Sequence, residues 1–167
     1  MINLKLLNFE NVSEEEVNTY RVREAARAIV LDKEDKIALI YSTNNEYYKL
    51  PGGGVEKDEN YKEALRRECL EEIGCDIEII NELGSIVEYR KEEKLNQISY
   101  CYITKIVGEK GKPKFDDNEI KQKFEPVWMS IEEALKRMYK TKTQVYQSSY
   151  MLTRDITFLT EAKKLLI

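Results

Sequence analysis

The sequence predicts an α/β domain in which helices cover both faces of a mixed β-sheet. Short apolar stretches separated by polar turns alternate along the chain with segments that carry helix-capping residues. Hairpins between consecutive strands favour a mixed sheet over a purely parallel one. The length of 167 residues suits one domain with a real core. We expect residues 1–167 to form a single domain with a short N-terminal extension and a C-terminal helix.

The first predicted elements form a hairpin followed by a tight loop. Apolar stretches at 25–31 and 37–41 flank a polar group of residues, which is typical of a β-hairpin. A short strand over 47–50 ends at Pro51. The glycines Gly52–Gly54 permit backbone conformations that other residues resist, so a tight loop is expected there.

The next element is a helix with clear signals at both ends. Asn60 and Glu63 have the spacing of a capping box, and Gly74 is a natural residue just beyond a helix end. The pattern predicts a helix from about Tyr61 to Ile73.

The second half is predicted to continue with strands and two helices. Four strand segments are expected, at residues 77–80, 86–90, 98–107 and 126–129. Residues 91–94 form a hairpin tip, and loop residues dominate from 108 to about 118. Ser130 and Glu133 are placed to cap a helix that runs through about Met138, and an amphipathic helix is expected from about Thr153 to Leu166.

Composition excludes several kinds of chemistry. The absence of histidine removes the commonest general base and every Ser-His or Cys-His nucleophile system. The three cysteines, Cys69, Cys75 and Cys101, are odd in number and lie in apolar segments. They are therefore predicted to be buried reduced thiols. Any catalysis must therefore use carboxylates.

Charge and hydropathy restrict the possible binding partners and the location of the protein. No apolar run approaches the roughly 18 residues of a membrane helix, and the N-terminus lacks the features of a secretory signal, so a cytoplasmic location is expected. The net charge of −4 makes nucleic acid an unlikely partner. One local basic cluster, at Lys136, Arg137, Lys140 and Lys142, is more typical of a solvated face.

Three glutamates fall on one face of the capped helix. Glu68, Glu71 and Glu72 stand at i, i+3 and i+4, within an arc of about 100°. Such an acidic face is usually just solvated. Here it overlaps the side expected to face the core, where like charges need a compensating cation. Carboxylate oxygens are the ligands that Mg²⁺ prefers, with Mn²⁺ as a possible substitute.

The spacing of the motif distinguishes these readings. Gly53 is followed by Glu59, then by the segment Arg67-Glu68-Cys69-Leu70-Glu71-Glu72-Ile73-Gly74-Cys75. This resembles the Nudix box at every fixed position, and chance coincidence of seven identities is negligible. Residues 50–56, 126–130 and 132–135 also resemble the family, so the likeness covers roughly residues 22 to 140.

Small departures accompany the resemblance. Cys69 and Cys75 occupy apolar positions of the box, which still satisfies a packing role. Asp58 stands where a glycine commonly precedes the first box glutamate, so a stiffer or differently shaped loop is expected there.

The Nudix resemblance implies an α/β/α sandwich and a divalent-metal-dependent pyrophosphohydrolase. Such enzymes use water to cleave a nucleoside diphosphate linked to another group, and the metal shields the diphosphate and activates the water. Metal ligands would be Glu68, Glu71, Glu72 and the carbonyl of Gly52, and backbone at Gly53 and Gly54 would approach the substrate.

The resemblance also implies roles for residues around the metal site. Arg67 would pair with Glu59 and orient the glutamates; the alternative is an ordinary helical i,i+4 pair with Glu63. Glu68 is the leading candidate for the proton acceptor within the box. A later loop can supply the base instead, and Glu119 is favoured there over Glu125.

Substrate identity stays open at this stage. A nucleoside triphosphate of the MutT type is the best expectation, with Trp128 or one of Tyr47, Tyr48 and Tyr100 stacking on the base. ADP-ribose is disfavoured as a substrate. Nudix enzymes that cleave it usually carry a proline shortly after the box, and no proline occurs here between Pro51 and Pro113. The alternatives are a catalytically idle domain that senses a nucleotide and an RNA-decapping pyrophosphohydrolase. A homodimer is expected by analogy only.

Overall fold

The computed structural model describes residues 1–142 and 145–166. Within these ranges the chain forms seven strands and five helices. In chain order they are β1 (Asn3–Leu7), α1 (Glu14–Val17), β2 (Arg21–Leu31), β3 (Ile37–Ser42), β4 (Tyr47–Lys49), α2 (Tyr61–Ile73), β5 (Asp76–Arg90), β6 (Leu95–Val107), α3 (Asp117–Lys121), β7 (Phe124–Met129), α4 (Ile131–Lys140) and α5 (Tyr146–Leu166).

All the strands belong to one sheet, in the order β1-β5-β6-β2-β3-β4, with β7 also paired to β3. The pairs β1–β5 and β2–β6 are parallel. The remaining pairs, including the predicted hairpin of β2 and β3, are antiparallel. The prediction of a mixed sheet is therefore confirmed.

Alternating side chains divide the core between the two faces of the sheet. In β3, Ile37 and Leu39 join one apolar cluster, whereas Ala38 and Ile40 join the other. The cluster of Ala38 also contains the apolar side chains of α2. The opposite cluster contains those of α4 and α5. The α/β/α sandwich follows from this two-sided burial, as the sequence predicted.

The helix α2 has the predicted bounds because its caps are local. The side chain of Asn60 accepts the N–H groups of Lys62 and Glu63, and the Glu63 carboxylate accepts the N–H of Asn60. Gly74 ends the helix with φ of 66°. A Cβ there would lie 2.6 Å from the backbone of Gly111, so only glycine fits.

Several elements differ from the sequence prediction. The segments 77–80 and 86–90, predicted as two strands, form the single strand β5, because register shifts near Ile79 and Gly84 keep the pairing with β6 continuous. The short helix α3 begins at the end of the predicted loop 108–118 and was not predicted. The final helix begins at Tyr146 rather than Thr153, since its first turns are polar or amphipathic. Residues 3–7 form an edge strand that was not predicted either.

The structure also bears on the predictions for the cysteines and for Asp58. Cys69, Cys75 and Cys101 are free and buried, as predicted. Asp58 adopts φ of 73°, so this aspartate holds the left-handed conformation that glycine favours at that position. No helix in residues 1–142 or 145–166 has the length and apolar character needed to cross a membrane.

Candidate active site

The glycine loop lies directly against strand β2. The N–H of Ala26 donates to the Gly53 carbonyl, and the N–H of Ala28 donates to the Pro51 carbonyl, both at 3.0 Å. A Cβ at Gly52 would overlap the carbonyl of Ala26, and Gly52 also has φ of 128°. A Cβ at Gly53 would overlap the carboxylate of Glu68. The absence of a Cβ at Gly52 and Gly53 therefore lets the loop backbone approach both β2 and α2.

Arg67 forms the contact that the box predicts. Its guanidinium donates to both oxygens of Glu59, at 2.7 and 3.2 Å, and to Oε1 of Glu68 at 2.8 Å. It also donates to the Gly54 carbonyl at 3.1 Å. This pairing holds the pKa of Glu59 below its usual range. The alternative partner, Glu63, instead caps the helix.

Glu72 is the most deeply buried of the three box glutamates, with 1% of its side chain exposed. Its Oε1 accepts from Nζ of Lys49 at 2.6 Å, and its Oε2 accepts from the N–H of Gly52 at 2.7 Å. By contrast, Glu71 is 45% exposed and reaches Arg67 only at 3.4 Å. Glu72 is therefore an interior carboxylate, whereas Glu71 lies at the surface.

Glu68 experiences competing electrostatic effects. Burial raises the pKa of its carboxyl, and the nearby charge of Glu72 raises it further. The hydrogen bond from Arg67 acts in the opposite direction but does not cancel these effects. The predicted repulsion between box carboxylates is therefore present between Glu68 and Glu72.

The donor set suits a hard divalent cation. Carboxylate oxygens of Glu68, Glu71 and Glu72, with the Gly52 carbonyl, are the ligand types that Mg²⁺ prefers. In the described part of the chain, no three acidic or cysteine side chains stand together as a formed metal site. Two of the expected ligands instead contact protein cations, since Lys49 pairs with Glu72 and Arg27 donates to the Gly52 carbonyl. A divalent cation held by these oxygens would have to replace both contacts.

A cavity of about 540 Å³ is lined by residues of β2, β4, β7 and α5. Five of its side chains are cationic, those of Arg23, Arg27, Lys49, Arg90 and Arg154, and two are acidic, those of Asp116 and Glu119. The rings of Tyr47 and Phe124 also line it, in an edge-to-face contact with centroids 6.4 Å apart. This composition favours an anionic ligand that also carries a ring.

The structure separates the two candidate bases of the later segment. Glu119 lines the cavity, and its N–H and carboxylate form a capping box with Asp116. Burial and the charge of Glu72 raise the pKa of Glu119. Glu125 lies on β7 opposite Tyr41 and is not among the cavity residues.

Trp128 is not among the residues that line the cavity. Its ring packs in the apolar cluster under α2, with Nζ of Lys110 over it at 3.8 Å from the centroid. Phe124 lies four residues earlier in β7 and packs against the same cluster, but it also lines the cavity. Of the tyrosines proposed for stacking, Tyr47 lines the cavity, whereas Tyr48 and Tyr100 are not among its residues.

The cavity arginines were not predicted as site residues. One signal for them was visible, because Arg27 interrupts the apolar stretch 25–31 of a strand that the sequence places in the core. A buried arginine in such a strand needs a partner. For Arg154 no comparable signal existed, since the C-terminal helix carries no pattern that resembles the family.

Solved structures of similar shape agree with this architecture. The solution structure of the E. coli ORF135 protein matches with a TM-score of 0.62 and 21% identity, over 89% of this chain and 93% of that one. The crystal structure of the MutT protein from Methanosarcina mazei Go1 matches with a TM-score of 0.60 and 18% identity, over 87% and 96%. At these identities the likeness shows the fold.

The family model for the NUDIX domain matches residues 21–148. The chain therefore belongs to the Nudix family of pyrophosphohydrolases. An RNA pyrophosphohydrolase of Nitratiruptor sp. is 35% identical over 52% of this chain and 59% of its own length. An ADP-ribose pyrophosphatase of Methanocaldococcus jannaschii is 32% identical over 57% of each chain. The matched region thus spans under two thirds of these two relatives. An RNA pyrophosphohydrolase of Pelagibacter ubique is 28% identical over 81% and 93%.

The raised pKa of Glu68 gives a prediction that can be measured without any substrate. In metal-free protein we expect Glu68 to titrate above the value of about 4.3 for a free glutamate. A pKa raised by folding means that the stabilising contribution of this group is complete below the unfolded pKa and is lost as the pH rises through the folded one. Addition of Mg²⁺ should lower the pKa, because a cation favours the carboxylate. Carboxyl-carbon NMR titration measures both values, and a Glu68 pKa unchanged by saturating Mg²⁺ would contradict its role as a ligand.

Proposed function

We propose that the protein is a divalent-metal-dependent pyrophosphohydrolase of nucleotides. It cleaves a nucleoside diphosphate linked to another moiety, with a nucleoside triphosphate or a related nucleotide as the substrate. The observation that supports this most is the juxtaposition of the partly buried Glu68 and the buried Glu72 at a glycine loop, next to a cavity lined by five cationic side chains. Such a pairing suits a metal and a polyphosphate bound side by side.

The metal would be held by Glu68, Glu71, Glu72 and the carbonyl of Gly52. Bound Mg²⁺ would neutralise charge on the diphosphate and activate the attacking water. Arg67 keeps the Glu68 carboxylate in place through its bond of 2.8 Å and is itself anchored on Glu59. If a metal took the Glu72 oxygen, the Lys49 ammonium, which lines the cavity, would be available to a phosphate oxygen.

The substrate phosphates would lie in the cavity beside Arg27, which donates to the Gly52 carbonyl. The absence of a Cβ at Gly53 and Gly54 leaves room for the Glu68 carboxylate and the Arg23 guanidinium against the loop. A phosphate at this point gains a charged donor at the moment when charge develops on the leaving oxygen. For the ring of the nucleotide, Tyr47 and Phe124 are the aromatic side chains that line the cavity.

The proton of the attacking water needs a carboxylate acceptor, since the chain has no histidine. Glu68 and Glu119 are the two candidates, and each has a pKa raised by burial and by the charge of Glu72. A carboxyl with a raised pKa is the better base near neutral pH. Glu119 has the advantage that it is not required as a metal ligand.

A second candidate is the removal of diphosphate from the 5′ end of RNA. The names of two relatives favour it, because both are RNA pyrophosphohydrolases. The basic cluster on α4 supports it little, since Arg137 is already paired with Glu133 at 2.8 Å. A catalytically idle sensor is disfavoured because every box carboxylate is present. A single domain over 1–167, a cytoplasmic location and a homodimer stay predictions.

Replacement of Glu71 by Gln tests the metal site. Because Glu71 is half-exposed, E71Q should fold normally while the metal loses a charged ligand. We expect kcat on the preferred nucleotide to fall by about a hundredfold or more, since even residues that support a metal ligand are worth about 10–100-fold. Release of phosphate or diphosphate from a nucleotide panel with Mg²⁺ provides the measurement.

The matched control for E71Q is E82Q, which removes an exposed carboxylate of β5. It should retain the activity of the unaltered protein. Equal hydrolysis by E71Q and E82Q would contradict the metal-site assignment. Activity on 5′-triphosphorylated RNA, with none on any free nucleotide, would favour the RNA pyrophosphohydrolase.

A pair of carboxylates tests the identity of the base. E119Q should lower kcat by about 10²-fold or more and remove the acidic limb of the pH–rate profile, because a general base contributes about 10²–10⁴-fold. E125Q, altered on the same segment but outside the cavity, should leave both unchanged. An intact acidic limb in E119Q would assign the proton transfer to Glu68.

A further inference from the structure

Three guanidinium groups meet where α5 crosses the sheet. Arg23 and Arg27 lie on the same side of β2 with the small side chain of Ala25 between them, and Arg154 of α5 lines the same cavity. All three line the cavity. Burial and the positive charge of Arg154 lower the pKa of Arg23, and the same effects lower the pKa of Arg27 to about 10. The protein therefore holds like charges together in a partly desolvated space.

The charges of these arginines are compensated unequally. Nε of Arg154 pairs with Asp155 at 2.7 Å, and its Nη1 reaches Glu88 at 3.4 Å. In the described ranges, 1–142 and 145–166, no carboxylate is paired with Arg23 or Arg27. Arg23 donates to the neutral Oε1 of Gln97 at 2.6 Å, and Arg27 donates to the Gly52 carbonyl.

Two buried N–H groups in this cluster have no acceptor. Nη2 of Arg154 and Nε of Arg27 are inaccessible to solvent and are hydrogen-bonded to nothing in the described structure. The side chains are 1% and 7% exposed, respectively. An unsatisfied charged donor is costly inside a protein, so an acceptor that binds in the cavity recovers that cost. The chemistry of guanidinium groups selects a phosphate or carboxylate as that acceptor.

The two phosphates of the scissile bond do not account for all of these donors. Under the proposed function they lie at the glycine loop, next to the metal ligands, Arg27 and Lys49. Arg23 lies just beyond that loop, since its Nη2 is 3.0 Å from the position of a Cβ on Gly54. Together with Nη2 of Arg154, it remains available to another anionic group.

We propose that Arg23 and Arg154 form a second anion subsite, which binds a phosphate group other than the two of the scissile diphosphate. This inference rests on the proposed function and names a further requirement of the substrate. Asp155 fixes the subsite relative to the chemistry, because its Oδ2 accepts the N–H of Leu50 at 2.9 Å, just before the glycine loop. The C-terminal helix thereby contributes both the subsite and the support of the loop.

Two kinds of nucleotide carry such a group. In a nucleoside triphosphate, a third phosphate extends in line from the diphosphate. In a nucleotide phosphorylated on its ribose, the additional phosphate is attached to the sugar. ATP represents the first kind and ADP-ribose 2′-phosphate the second. ADP-ribose contains only the diphosphate and serves as the reference ligand.

The test is the binding of these three ligands to metal-free protein, measured by isothermal titration calorimetry. The variant is R23Q, because Arg23 is only partly buried, whereas loss of Arg154 would leave Glu88 and Asp155 without their partner. R21Q is the matched control, since Arg21 lies on the same strand, is exposed and does not line the cavity.

Unaltered protein should bind ATP or ADP-ribose 2′-phosphate about tenfold or more tightly than ADP-ribose, as expected for one charged hydrogen bond or more. R23Q should lose this preference and R21Q should keep it. The ligand that shows the preference identifies which phosphate the subsite takes. Equal affinity of the unaltered protein for all three ligands, including no binding of any, would overturn the proposal, as would a preference that persists in R23Q. Hydrolysis with Mg²⁺ is measured separately, so failure of the proposed function appears as absence of turnover whatever the binding result.

Discussion

One buried carboxylate, that of Glu72, joins the parts of the site to one another. Its two oxygens bind Nζ of Lys49 on β4 and the N–H of Gly52 in the glycine loop, so α2, β4 and the loop meet at a single group. A carboxylate with 1% of its side chain exposed is stable there only if it is paired, because the desolvation of an unpaired ion costs several kcal/mol. Burial raises the pKa of Glu68 and of Glu119, and the charge of Glu72 raises both further. Glu72 thus joins the elements of the site and also acts on the protonation of its candidate bases.

A second buried network ties the far side of the cavity to the same loop. Arg154 and Asp155 are adjacent on α5, and they connect Glu88 in β5 to the N–H of Leu50. The glycine loop is therefore held from both sides, by α2 through Glu72 and by α5 through Asp155. Such a loop is preorganised, which lets its backbone and the neighbouring cations act on a substrate without rearrangement of the fold.

The sequence was most informative where structure is local. The bounds of α2 follow from Asn60, Glu63 and Gly74, and all three lie within or next to the helix. The spacing of the box placed Glu68, Glu71 and Glu72 on one arc, and it placed Arg67 against Glu59. These predictions needed no knowledge of tertiary contacts.

Predictions failed or were absent where distant segments meet. Lys49 and Arg154 reach the site from a short strand and from the last helix, and neither has a local pattern that announces a partner. The stacking role of Trp128 stays a prediction, because its ring packs in the cluster under α2 and the aromatic side chain of β7 that lines the cavity is Phe124. The continuous strand β5 depends on irregular pairing with β6, which hydrophobic periodicity does not encode.

In the proposed site, Lys49 and Arg27 occupy oxygens that a divalent metal would take on binding. A crystal structure with Mn²⁺, located by its anomalous scattering, tests this. We expect an ion bound to Glu68, Glu71, Glu72 and the Gly52 carbonyl, with Nζ of Lys49 moved away from the Glu72 oxygen it now contacts at 2.6 Å. An ion bound elsewhere, with the pair of Lys49 and Glu72 intact, would contradict it.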